Sequence, residues 1–244
     1  MKGTVMIVYY LRCAFNKRRN DKYAPLYSSD TDLLIDLVYW QHFGSPIDPI
    51  QHRVINPSRK NWTKRYGDVW PKPGLEVEYG GQKTLKRSDA TMLNSNFMVY
   101  TLRAIELLGD YLDPAKGEFL PVVCSERNDL LIYRCLNCLD AIDEEKLEVI
   151  PGIVPPDPDT PKDFKENVDF KYYHFRADVI GETPMFIVPC HYSLYTFVTD
   201  RFVERVRKLK LKGFGFQPLW SSELGPLCDD CKNPLCPEGK DINL

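Results

Sequence analysis

FLPVVCSERNDLLIYRCLNCLDAIDEEKLEVI, running from Phe119 to Ile150, decides how this 244-residue chain is read. Phe119 to Cys124 and Leu130 to Leu136 are short apolar runs, separated by the polar turn Ser125-Glu126-Arg127-Asn128-Asp129. Runs of that length between turn residues predict two strands. They lead into a dense acidic turn that holds Asp140, Asp143, Glu144, Glu145 and Glu148. No catalytic constellation lies within the stretch.

Working outward, residues 6–11 read as a first strand, and residues 75–79 alternate apolar with acidic as a half-exposed strand does. Residues 31–43 read as a helix, with Leu33, Leu34, Leu37, Val38 and Trp40 crowding one side. Residues 45–73 lack periodicity and predict irregular connection. Ser95 is expected to cap a helix to about Leu108, with Met98, Leu102 and Ile105 on one face and Gly109 at its end. Residues 151–161 hold five prolines and predict an extended link. Residues 169–180 read as a long strand, and residues 184–188 and 194–198 as two more. Asp200 is then expected to cap a helix with the stripe Phe202, Val203, Val206 and Leu209, ended by Gly213. Residues 214–219 close the sheet. The expected class is α+β, a mixed and largely antiparallel sheet flanked by a few helices.

Bulk composition narrows the function classes. Charged residues are 27% and hydrophobic ones 43%, so a packed globular core is expected. A net charge of −2 gives no global pull toward nucleic acid, and Lys17-Arg18-Arg19 and Lys86-Arg87 are too short to make a binding patch. No apolar run approaches the roughly 20 residues of a membrane span. Residues 5–11 are apolar, but no small-residue cleavage site follows, and Arg12 precedes Cys13. A cytoplasmic location is expected. The eight cysteines (13, 124, 135, 138, 190, 228, 231 and 236) then read as reduced thiols or metal ligands.

Cys228, Cys231 and Cys236 form the strongest metal-like group. A C-x2-C turn brings two thiolates to one tetrahedral zinc and Cys236 offers a third, with Cys190 or His191 as candidates for a fourth. The alternative is a tail of reduced thiols. Cys135 and Cys138 share the spacing, but on a strand they point to opposite faces, so core packing is the expectation for both. Cys190-His191 could be read as a thiol nucleophile with its base, yet neighbours in an extended chain point apart. His42, His52 and His174 lack partner groups that would make them catalytic. H-E-x-x-H, G-x-S-x-G, G-x-G-x-x-G and G-K-[ST] are all missing from the sequence.

Charge placement says more than total charge. Residues 140–169 hold ten acids against three lysines, a net of −7, whereas residues 199–212 hold six bases against two acids, a net of +4. An acidic, proline-stiffened surface suits the capping of a basic cleft on another protein. The plain alternative is a solvated linker.

The segment 136–143, LNCLDAID, resembles the central motif of a bacterial immunity-protein family encoded beside polymorphic toxins. YTFVTDRF at 195–202 and LKGFGFQP at 211–218 are similar to that family's closing strand–helix–strand. The likeness covers about Thr91 to Leu219. It departs from the family at Leu147, where a Ser is usual, and in residues 179–193, which run longer. The resemblance implies an immunity-like α+β domain over residues 87–220, between an N-terminal α+β region (1–86) and a cysteine-containing tail (221–244). It further implies a toxin inhibitor with no catalysis and no cofactor, whose partner is a cognate toxin encoded nearby. The candidate toxin-binding residues are Asp140, Asp143, Glu144, Glu145, Asp157 and Asp159. Tyr172, Tyr173, Tyr192 and Tyr195 are candidate aromatic anchors. The rival reading is a zinc-stabilised binding or regulatory module built on Cys228, Cys231 and Cys236.

Overall fold

The computed structural model describes residues 5–13, 26–28, 63, 65–67, 70, 72, 74–78, 88–94, 97–124, 127–146, 148–149, 170–189 and 195–227. The strands of its first half are β1 (Ile7–Cys13), β2 (Leu26–Ser28), β3 (Gly74–Glu78), β4 (Ala90–Asn94), β5 (Phe97–Thr101), β6 (Gly117–Pro121) and β7 (Val123–Cys124). Then come β8 (Leu130–Cys135), β9 (Glu148–Val149), β10 (Phe170–Tyr172), β11 (Met185–Phe186), β12 (Phe197–Thr199), β13 (Phe214–Ser221) and β14 (Gly225–Pro226). The α-helices among the described residues are α1 (Leu102–Leu108), α2 (Ala177–Ile180) and α3 (Asp200–Lys208). The class is α+β with mostly antiparallel sheets.

Two sheets organise the molecule. The larger runs β11-β12-β1-β13-β14, and a four-stranded sheet runs β4-β5-β8-β6. A three-stranded sheet β2-β3-β7, with β3 and β7 parallel, and the pair β9-β10 are smaller. The first strand thus pairs on both sides with strands from the last quarter of the chain. The boundary drawn at residue 86 in the sequence separates strands that share one sheet. Opposite β1, Pro218 sits at the register shift between Val8 and Tyr9. Proline cannot donate to a ladder, and a bulge is where a strand tolerates it.

Alternation along the strands builds three buried clusters. Between the two large sheets lie Tyr9, Leu11, Tyr100, Tyr133, Phe202, Val203, Val206 and Phe214, together with Ala104 and Leu108 of α1. The opposite face of the larger sheet carries Val8, Phe197 and Trp220 against Ala141, Ile142, Phe175, Ile180 and Phe186. The outer face of the four-stranded sheet buries Phe97, Val99, Leu120 and Ile132 under Tyr66, Trp70 and Leu75. The large sheets are also joined end to end. Asp89 and Ala90 donate backbone N–H groups to the Lys212 carbonyl at 2.9 and 3.2 Å, and Gly213 (φ 90°) passes against Ala90 and Ser88 with no room for a side chain.

Several sequence expectations are corrected. Residues 97–101 are strand, and the following helix is capped by Thr101, whose Oγ1 accepts the Ala104 N–H at 3.1 Å. Every residue of β5 is buried, so its apolar run serves both faces of a sheet and carries no alternation. The long strand expected over 169–180 is the three-residue β10, a connecting segment containing His174, and α2. The strands expected at 184–188 and 194–198 narrow to β11 and β12. Helix α3 begins after Thr199, with Asp200 inside its first turn, and ends at Lys208, before Gly213 is reached. The Asp200 carboxylate accepts the Ile7 N–H at 3.3 Å instead of capping. Tyr66 and Trp70, in the stretch read as connection, are core residues. The helix expected over 31–43 lies outside the described residues.

Candidate functional site

Strand β8 ends at Cys135, and the chain crosses to the far face of the larger sheet. There residues 137–143 are held by backbone bonds to two other segments. The Ile187 N–H donates to Asn137 O at 3.0 Å and the Leu139 N–H to Ile187 O at 2.9 Å. The Arg176 N–H donates to Ala141 O at 2.8 Å and the Asp143 N–H to His174 O at 2.9 Å. Ala141 and Ile142 are fully buried between these anchors, 0% and 2% exposed. The apolar pair inside the acidic run is what fastens it to the second core. Burying two such side chains stabilises the turn by a few kcal/mol.

The acids flank those anchors and stay at the surface. Asp140, Glu144 and Glu145 are exposed, and Asp143 is half-buried. Glu144–Lys146 forms a single 3-10 turn. Asp143 accepts the Lys146 ammonium at 2.6 Å, and this bond holds its carboxyl below the usual carboxylate range. The same bond raises the Lys146 ammonium above its ordinary value. The Arg176 guanidinium bonds the Asp140 carbonyl and lies 3.7 Å from its carboxylate. Asp157 and Asp159 lie outside the described residues. The short strands that precede and follow that span are paired, Val149 with Phe170 and Glu148 with Tyr172.

The aromatic candidates separate. Tyr195 is 39% exposed and its ring packs on Tyr10, centroids 4.3 Å apart. Tyr173 turns inward, at 5.8 Å from Phe175 and 5.5 Å from Phe197. Tyr172 is half-buried, and Tyr192 lies outside the described residues. The sequence reading missed Arg176 and His174 as supports of the turn, and Tyr10 as the partner of Tyr195. The one local signal, for His174 alone, is the Tyr/His/Phe-rich run 172–175, which the sequence reads as strand.

The charged helix is placed elsewhere. Phe202, Val203 and Val206 of α3 pack in the inter-sheet cluster, on the opposite face from Ala141 and Ile142. Its basic side chains serve the fold in part: Arg205 donates to Leu107 O at 2.8 Å at the end of α1, and Arg201 bonds Glu182. The +4 segment therefore does not neutralise the acidic turn.

Cys135 is buried, whereas Cys138, expected in the core with it, is exposed because the strand stops at Cys135. Burial pushes the Cys135 thiol up to about 12, far from a nucleophile at neutral pH. Among the described residues no cluster of His, Cys, Asp or Glu could hold a metal ion. Cys190, His191, Cys228, Cys231 and Cys236 lie outside those residues, as do His42 and His52. No helix among the described residues is long and apolar enough to cross a membrane. Comparison with protein-family models and with curated proteins finds no match to this chain.

Proposed function

We propose that this chain is an immunity protein that binds a cognate bacterial toxin in the cytoplasm and blocks its active site without covalent chemistry. The observation that supports this reading is the acidic turn. Asp140, Asp143, Glu144 and Glu145 are carried on a backbone tied at four points and plugged by Ala141 and Ile142. A rigid support spares a partner the ordering cost of a mobile loop. A cluster of carboxylates on such a support complements a cation-lined cleft of the kind that enzymes acting on phosphate-containing polymers present. The likeness of residues 136–143, 195–202 and 211–218 to the immunity-protein pattern supports the same reading. Inhibition by occlusion needs no cofactor.

The test is co-expression with the toxin encoded beside the gene. Rescue of growth and co-purification of the two chains are expected. A toxin that still kills, and does not co-purify, removes the proposal.

A further inference from the structure

The acidic turn and Tyr195 occupy one face of the larger sheet, and a row of aromatic rings joins them. Side chains alternate along a strand, so Tyr10 of β1 faces the same side as Val8, a member of the second cluster. Phe197 stands opposite Tyr10 in register, and Tyr195, two residues earlier, packs on Tyr10 at 4.3 Å. From Phe197 the row continues to Phe175 at 5.3 Å, and Phe175 bridges Ile142, the anchor of the acidic turn. One end of the row is the 39%-exposed Tyr195 and the other is the carboxylate cluster.

We infer that Tyr195, seated on Tyr10, is the aromatic anchor of the partner-binding face, with the acidic turn as its electrostatic guide. This rests on the reading of the chain as a toxin-binding protein and names where the energy of that contact resides. Three other large apolar side chains among the described residues are as exposed: Leu102, Val123 and Leu224. They begin α1, lie in β7 and sit in the turn between β13 and β14, so the row does not include them. They are also aliphatic, whereas tyrosine offers a large rigid surface with a polar tip at low entropic cost. The occupant committed to is a protein cleft lined by Arg and Lys. An arginine there can stack on the Tyr195 ring while lysines meet the carboxylates. The two parts divide the labour: exposed charges set the rate of encounter, and a packed aromatic sets the lifetime of the complex.

The experiment measures binding kinetics of the full chain against an active-site-inactivated form of the neighbouring toxin. Tyr195→Ala is expected to raise the dissociation rate roughly 10- to 30-fold while the association rate stays within about twofold. Tyr195→Phe keeps the ring and stays within about threefold of the wild type. Tyr195→Arg, which keeps bulk over Tyr10 but repels a cationic cleft, repeats the loss if the alanine variant is poorly folded by thermal melting. A wild-type complex whose dissociation is unchanged by Tyr195→Ala and Tyr195→Arg overturns the inference and leaves the immunity reading standing. Absence of any wild-type complex removes both.

Discussion

Glu118 and Asp143 are both carboxylates bonded to a cation, and they do opposite work. Glu118 meets Arg134 at 2.8 Å with both side chains buried, 5% and 7% exposed. Its second oxygen accepts the Tyr66 N–H at 2.9 Å, and the Arg134 guanidinium lies 4.5 Å over the Tyr66 ring. Arg65 adds bonds to the carbonyls of Gly117 and Pro114 at 2.7 and 2.6 Å, so Arg65 and Tyr66 are strapped beside the start of β6. Asp143 meets Lys146 at 2.6 Å, but that lysine is 65% exposed. In a low-dielectric interior neither charge can leave its partner without a large desolvation cost. At the surface water screens the pair, and an incoming cation can replace Lys146 at little expense. Burial turns an ion pair into a fastening, and exposure keeps it available.

The sharpest way to break that contrast is to remove the buried carboxylate. Glu118→Gln removes the buried negative charge that faces the Arg134 guanidinium, and a loss of about 3–5 kcal/mol is expected in urea denaturation at neutral pH. A loss below about 1 kcal/mol would mean that water reaches the pair and that the two carboxylates do not differ in kind.

Next in size is the pair of thiols at the start of the acidic crossover. In native protein at pH 8, alkylation followed by peptide mapping is expected to label Cys138 and spare Cys135. The Cys135 thiol is raised from 9.0 to about 12 by burial, so its folded form holds the proton that the unfolded form loses. Its contribution is complete below pH 9 and falls as pH rises toward 12, by up to about 1.4 kcal/mol per pH unit. Cys135→Ala should flatten that part of the stability profile measured by thermal melting. An unchanged slope would show that Cys135 is not the group that titrates.

The smallest expected effect on stability belongs to the acidic turn itself. Asp140→Asn, Asp143→Asn, Glu144→Gln and Glu145→Gln combined should leave the urea midpoint at neutral pH close to the wild type. The Asp143 carboxyl is held below its usual range, so whatever it contributes is present at neutral pH and fades as pH falls through the acidic range. A large drop in midpoint would make these carboxylates structural and end the contrast with Glu118.

Much of the fold was legible because apolar runs were bracketed by turns. The strands at 7–13, 74–78 and 130–135, and the amphipathic α3, follow from local pattern, whereas the single run expected over 119–124 divides between β6 and β7 of different sheets. The failures have a common physical origin in tertiary contact. Phe97–Thr101 is buried on both faces, which erases the alternation of a strand and leaves Met98, Leu102 and Ile105 at helical spacing by coincidence. Residues 173–176 look like strand, but their backbone is spent bonding Ala141 and Asp143, after which the chain turns into α2. At the site, the charge of the turn was readable and its support was not. Arg176 lies 36 residues from Asp140 in sequence, and Tyr10 lies far from Tyr195, and no local pattern joins them.

The most direct test is the salt dependence of association between this chain and the neighbouring toxin, for the wild type and the four-acid variant. If exposed carboxylates guide a cationic cleft onto this face, the wild-type association rate should fall by roughly 10-fold or more between about 20 and 300 mM salt. The neutralised variant should associate slowly and nearly independently of salt. Identical rates and identical salt slopes for the two proteins, or no association at all, would contradict it.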